Sequence, residues 1–220
     1  MFPPRWFLPY DAIFVLIAAF VALAVALYAL HGYRWIRERT LYVLFLAFLL
    51  LSVGLFINGI TLGYSYATGV TFSKFGSSSL VADVGFWAYY LMSMVAYSLL
   101  AFAYAKRLRE STIALAAGGT MGKGQGSGGI GTSLVAAGPV MELVLVILLL
   151  VILIAQLADL TVKHNRYSTL VTVSFAMLLA SHILFMFSSI GDVIYVVGRV
   201  MELAGFISLL SVLLGLRGAK

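Results

Sequence analysis

Two stretches decide the fold: "TLYVLFLAFLLLSVGLF", Thr40–Phe56, and "TLVTVSFAMLLASHILF", Thr169–Phe185. Each is the body of an apolar run too long for a strand and without the alternation of a β-barrel wall. Each therefore reads as part of a membrane-spanning helix, which needs roughly 20 apolar residues. Laid on one another at an offset of 129, they agree at Thr40, Leu41, Ala47, Leu49, Leu50, Ser52, Leu55 and Phe56. Arg37 meets Arg166 at the same offset, and Val15 and Leu16 meet Val144 and Leu145. Further on, "DVGFWAYYLM" from Asp83 meets "DVIYVVGRVM" from Asp192 at an offset of 109. The difference is the size of one insertion, roughly Gly63–Ala82.

This pattern predicts an all-α polytopic membrane protein of six helices in two three-helix repeats. The expected spans are Ile13–Leu30, Leu41–Leu62, Val84–Ala105, Val140–Leu160, Leu170–Ser188 and Val193–Leu216. They divide the chain into repeat 1 (residues 1–106), a Gly-rich linker (107–138) and repeat 2 (139–220). An odd number of helices per repeat inverts the second copy, provided that the linker stays on one side. Inverted repeats recur in transporters and channels. The first apolar run is too long for the core of a signal peptide and lacks a small-x-small cleavage site.

Composition agrees. The 220 residues are 63% hydrophobic and 10% charged, and mean hydropathy is +1.08, far too apolar for a water-facing surface. Lipid bilayer is thus the first partner, in a multi-pass cell-membrane protein. The net charge of +6 sits in short clusters beside apolar runs, which points to juxtamembrane residues and not to nucleic acid. With no cysteine and three histidines, neither a disulfide framework nor a metal or haem site is indicated, and no cofactor is expected. In the linker, Gly124, Gly126 and Gly129 match GxGxxG, but no strand precedes them. Ala117 and Gly124 break the P-loop pattern.

For six spans with inverted halves, Lys and Arg divide seven against six. Arg34, Arg37, Arg39, Lys106, Arg107, Arg109 and Lys123 face inward; Arg5, Lys74, Lys163, Arg166, Arg217 and Lys220 face outward. Both termini are then expected outside.

Ionisable groups at membrane depth are costly, which makes each a candidate. Arg199 and Glu202, three apart on one helix face, read as a buried ion pair, with Glu142 nearby as a second acid. His182 reads as a neutral ring hydrogen-bonded across the helix interface to a serine, a tyrosine or Asn58; a proton-handling or substrate-contacting role is the sharper alternative. Ser52, Asn58, Ser181 and His182 form the candidate intramembrane polar site. Asp83 and Asp192 read as helix caps, and Trp87, Tyr89 and Tyr90 as an interfacial belt.

No nucleophile–base or metal constellation suggests an enzyme. The expected function is that of a small transporter- or channel-like protein of unknown substrate. The alternative is a non-catalytic membrane subunit or scaffold of a respiratory or macromolecule-translocation complex, with a homo-oligomer or other membrane subunits as partners.

Overall fold

The computed structural model describes residues 4, 6–68, 80–113, 137–163 and 166–218. Among them run six helices: α1 (Leu8–Ile36), α2 (Arg39–Ala67), α3 (Leu80–Ile113), α4 (Ala137–Lys163), α5 (Arg166–Met186) and α6 (Asp192–Gly218). All six are long and apolar enough to cross a membrane. Arg5, Lys74, Lys123, His164, Lys220 and the GxGxxG segment lie outside the described residues.

The helices outrun the expected spans. α2 continues through Ala67, and α3 runs from Leu80 to Ile113, so both ends of the expected loop and the start of the expected linker are helical. Ser65 explains the first extension: its hydroxyl donates to the carbonyl of Thr61 at 2.8 Å, which satisfies a polar side chain within the helix. "AKRLRE" explains the second, because good helix formers carry a helix onward once it leaves the lipid. Asp83 lies in the first turn of α3, not at its cap, and Asp192 is the first residue of α6; both still meet the positive end of a helix dipole.

Each helix packs on its chain neighbours, and α6 closes the ring against α1. Small residues permit the close approaches that bring membrane helices together without a hydrophobic drive. α1 buries Ala12, Ala18, Ala19, Ala22, Ala26 and Ala29. A Cβ on Gly85 would stand 1.9 Å from Thr61 Oγ1, so α3 crosses α2 at a distance only glycine allows. Arg37 closes the α1–α2 turn in the left-handed region (φ 54°), its N–H donating to Tyr33 O at 2.7 Å.

Side-chain contacts give the sense of each helix. Asp11, near the start of α1, meets Tyr195 and Arg199, near the start of α6. Tyr90, near the start of α3, meets Glu142, near the start of α4. α1 is therefore parallel to α6, and α3 to α4. Gly59 against Leu16 with Ser52 against Ala19 makes α1 and α2 antiparallel, and Gly85 against Thr61 with Gly54 against Met92 does the same for α2 and α3. Phe185 against Tyr195, Ser174 against Ser208 and Tyr167 against Gly215 make α5 and α6 antiparallel. Among the described helices the two halves run in the same sense, so the expected inverted repeat is not shown. That expectation required the linker to begin and end on one side, whereas the end of α3 and the start of α4 lie at opposite ends of the bundle.

Leu8, the first residue of α1, and Gly218, the last of α6, lie at opposite ends of the bundle. One end of the bundle is strongly basic. It gathers Arg34, Arg37 and Arg39 from the α1–α2 turn, Lys106, Arg107 and Arg109 from α3, Lys163 and Arg166 from the α4–α5 turn, and Arg217 from α6. The other end carries no Lys or Arg among the described residues.

Candidate functional site: a buried chain of acids, phenols and two cations

The non-basic half of the bundle holds a polar cluster contributed by five of the six helices. Asp11 (0% exposed), Glu142 (2%) and Glu202 (2%) are its acids, and Arg199 and His182 its basic groups. Arg199 stands seven residues into α6, about 10 Å along the axis at ~1.5 Å per residue. Its Nε donates to Asp11 Oδ1 at 2.8 Å, its Nη1 to Glu202 Oε2 at 2.7 Å and its Nη2 to Tyr195 Oη at 3.0 Å. The guanidinium also lies 5.0 Å from the ring centroid of Phe185 and 5.4 Å from that of Tyr195. Its fixed fork of donors suits it to hold two carboxylates at once.

Phenols complete the acids' shells. Tyr195 donates to Asp11 Oδ2 at 2.8 Å, Tyr89 to Glu202 Oε1 at 3.1 Å, and Tyr90 to Glu142. The other oxygen of Glu142 meets His182 Nδ1 at 2.7 Å. On the far side of that ring, Nε2 lies 3.4 Å from Tyr97 Oη. The rings of Tyr89 and Tyr90 touch, 5.2 Å apart, and so link the Arg199 group to the His182 group. Buried acids are tolerable only with such partners.

The candidates singled out from sequence are distributed unevenly. Arg199 and Glu202 pair, but Glu142 serves Tyr90 and His182 instead. Glu142 is buried, its oxygens bonded to Tyr90 of α3 and His182 of α5. His182 meets a tyrosine, as one of its expected partners, and an acid that was not among them. Ser52 donates to Ala19 O at 3.0 Å and pins α2 to α1, while Ser181 bonds within its own helix to Leu178 O at 2.7 Å. Asn58 is buried on α2, its carbonyl taking the hydroxyl of Thr61. These three do not join His182 in one site.

Three contributions escaped the sequence reading. Asp11 lies before the expected first span, which placed it in water; α1 begins at Leu8 and draws it inside. Tyr89 and Tyr90 face the interior and not the interfacial belt. Ser93 is 1% exposed, and its hydroxyl has no partner among the described residues. A signal for Tyr90 and Ser93 was present: at the offset of 109 they occupy the places of Arg199 and Glu202.

Fold and site together define a polytopic α-helical membrane protein whose helices enclose a hydrogen-bonded ionisable cluster. No family model matches the chain, and neither curated proteins nor solved structures give a significant match.

Proposed function

We propose that this protein is transporter- or channel-like, moving a small solute or ion along the bundle, and that the buried acid–phenol–cation chain is the part that couples to it. The observation that carries this reading is the cost of the cluster. A bundle held only for shape would be served better by apolar packing than by three acids, a guanidinium and an imidazole at membrane depth. Such groups in a membrane interior mark ion and substrate paths.

The internal repeat supports the same reading in a different form from the expected one. With α1–α3 and α4–α6 running in the same sense, the sequence matches would take the form of parallel repeats about an axis along the membrane normal, an arrangement also used by transporters. The excess of Lys and Arg at one end favours that end as the cytoplasmic one. The start of α1 is then outside, the end of α6 inside, and the polar cluster nearer the outer face. We read no enzymatic role: Ser181 is spent on its own helix and His182 on Glu142 and Tyr97, so the adjacent Ser–His pair is not a nucleophile and its base.

A second reading, a membrane subunit of a larger assembly, is favoured by an open apolar groove of about 450 Å³ on α3, lined by Leu91, Met94, Val95, Ser98 and Leu99. The test reconstitutes the purified chain in vesicles of phosphatidylcholine and phosphatidylglycerol. Uptake of pooled isotope-labelled small solutes, and of protons, Na⁺, K⁺ and Cl⁻, is then measured. Accumulation of at least one probe above protein-free vesicles is expected, with loss in Glu202→Gln at unchanged helicity. Failure with every probe, together with stoichiometric co-purification of other membrane proteins, would replace transport by the subunit reading.

A further inference from the structure

The cluster's charges do not balance. Asp11, Glu142 and Glu202 share one guanidinium, so with the acids ionised and the imidazole neutral the group would carry two uncompensated negative charges. With an imidazolium it would carry one. Uncompensated charge in a membrane interior is expensive, which makes the cluster a sink for a cation. Among the described residues no three His, Asp or Glu side chains converge as metal ligands. Carboxyl, phenol and imidazole groups in mutual hydrogen-bond contact are proton-exchanging groups, so the cation of interest is a proton.

We infer that His182 is a reversible proton-binding site, in which the imidazole gains and loses one proton between Glu142 and Tyr97. This deepens the transport reading by naming its coupling ion. The geometry serves both forms of the ring. With a single proton on Nδ1, the ring donates to Glu142 Oε2 at 2.7 Å and Nε2 accepts from the hydroxyl of Tyr97. With a second proton, Nε2–H donates to the same oxygen, because a phenol both donates and accepts. The proton added is one taken from water, and no other bond changes. At 3.4 Å the Tyr97 contact is long, so the hydroxyl gives up little when it reverses.

Once Tyr97 accepts, its own hydrogen needs a new acceptor. Ser93 lies one turn before it on the same face of α3, and tyrosine side chains on a helix lean toward that turn. Its buried hydroxyl has no hydrogen-bond partner among the described residues, Tyr97 included, so it can accept from Tyr97 only after a side-chain shift.

The other groups around the ring are poor rivals for the proton. From α6, Arg199 stays charged at all working pH. Glu202 on the same helix, and Asp11 beyond it on α1, are each held by the guanidinium and a phenol. From α3, Tyr89 and Tyr90, and from α6, Tyr195, are already donors to acids. Glu142 on α4 is bonded to the ring at Nδ1 and accepts from Tyr90 through its other oxygen. Imidazole is the side chain whose ordinary range makes it a switch near neutrality.

The test uses the full chain with His31→Gln and His164→Gln, which leaves His182 as the sole imidazole. Nitrogen-15 NMR of the labelled ring in phosphatidylcholine nanodiscs is followed from about pH 4 to about pH 10, the span around the ordinary histidine range. A reversible passage between one and two ring protons is expected. A ring that keeps one state throughout overturns the inference. Tyr97→Phe keeps the ring's bulk and removes the hydroxyl; the midpoint should fall, because the charged ring loses the stronger of the two bonds that oxygen makes. An unmoved midpoint removes Tyr97 from the site. Titration needs no flux, so the two readings fail separately: a titrating ring in a protein that moves nothing sinks transport alone, and flux with a silent ring sinks the proton site alone.

Discussion

At the scale of single residues, the arrangement around Arg199 makes unequal demands on its members. Removing the guanidinium leaves Asp11 and Glu202 buried without a cation, and breaking a buried pair from one side costs about 3–5 kcal/mol. Arg199→Met should therefore lower resistance to unfolding in detergent sharply. Ser52 is different: it gives a single hydrogen bond to a backbone carbonyl, and such bonds between membrane helices average about 0.6 kcal/mol. Ser52→Ala should be close to neutral in the same assay. Neutralising all three charges together, in Asp11→Asn, Arg199→Met and Glu202→Gln, should recover part of the Arg199→Met loss, because no stranded charge remains. A triple variant weaker than the single one would show that the ion pairs, and not the avoidance of orphaned charge, hold α1 to α6.

At the scale of elements, the crossing of α2 and α3 rests on the absence of one carbon atom. A Cβ on Gly85 would lie 1.9 Å from Thr61 Oγ1 and 2.7 Å from its Cβ, and Thr61 is itself held by a bond to Asn58 O at 2.9 Å. Neither partner can yield without moving its helix. Overpacking of this kind costs about 1–3 kcal/mol. Gly85→Ala should lower the thermal midpoint in detergent, while Gly63→Ala, which meets nothing within 4 Å, should leave it unchanged or raised. Because Tyr89 and Tyr90 follow Gly85 by one turn, the same shift should disturb their contacts with Glu202 and Glu142. Equal midpoints for the two variants would argue that α2 and α3 stand further apart than this crossing.

At the scale of the whole molecule, parallel halves make a prediction that inverted halves deny. The chain contains no cysteine, so single introduced cysteines report their side without background. Trp6 (60% exposed) and Ile190 (75%) lie at the non-basic end, and Ile36 (69%) lies at the basic end. A membrane-impermeant maleimide should label Trp6→Cys and Ile190→Cys in intact cells. Ile36→Cys should react only after permeabilisation. Labelling of Trp6→Cys with Ile190→Cys protected is the pattern of inverted halves and would overturn the parallel arrangement.

The sequence by itself determined that six apolar helices cross a membrane, because lipid leaves a backbone no other way to satisfy its polar groups. It also determined that Arg199 and Glu202 share a helix face, since that follows from a spacing of three along one helix. Everything that depends on which helix ends meet was decided in the tertiary structure. Asp11 and Arg199 are 188 residues apart in the chain, and neither neighbourhood announces the other. The same holds for Glu142: local spacing allowed it to reach for Arg199 or for the interface, and only the packing of α4 between α3 and α5 turned it toward Tyr90 and His182. Periodicity records which face of a helix is buried, whereas the sense of one half against the other is set by side-chain contacts between distant helices.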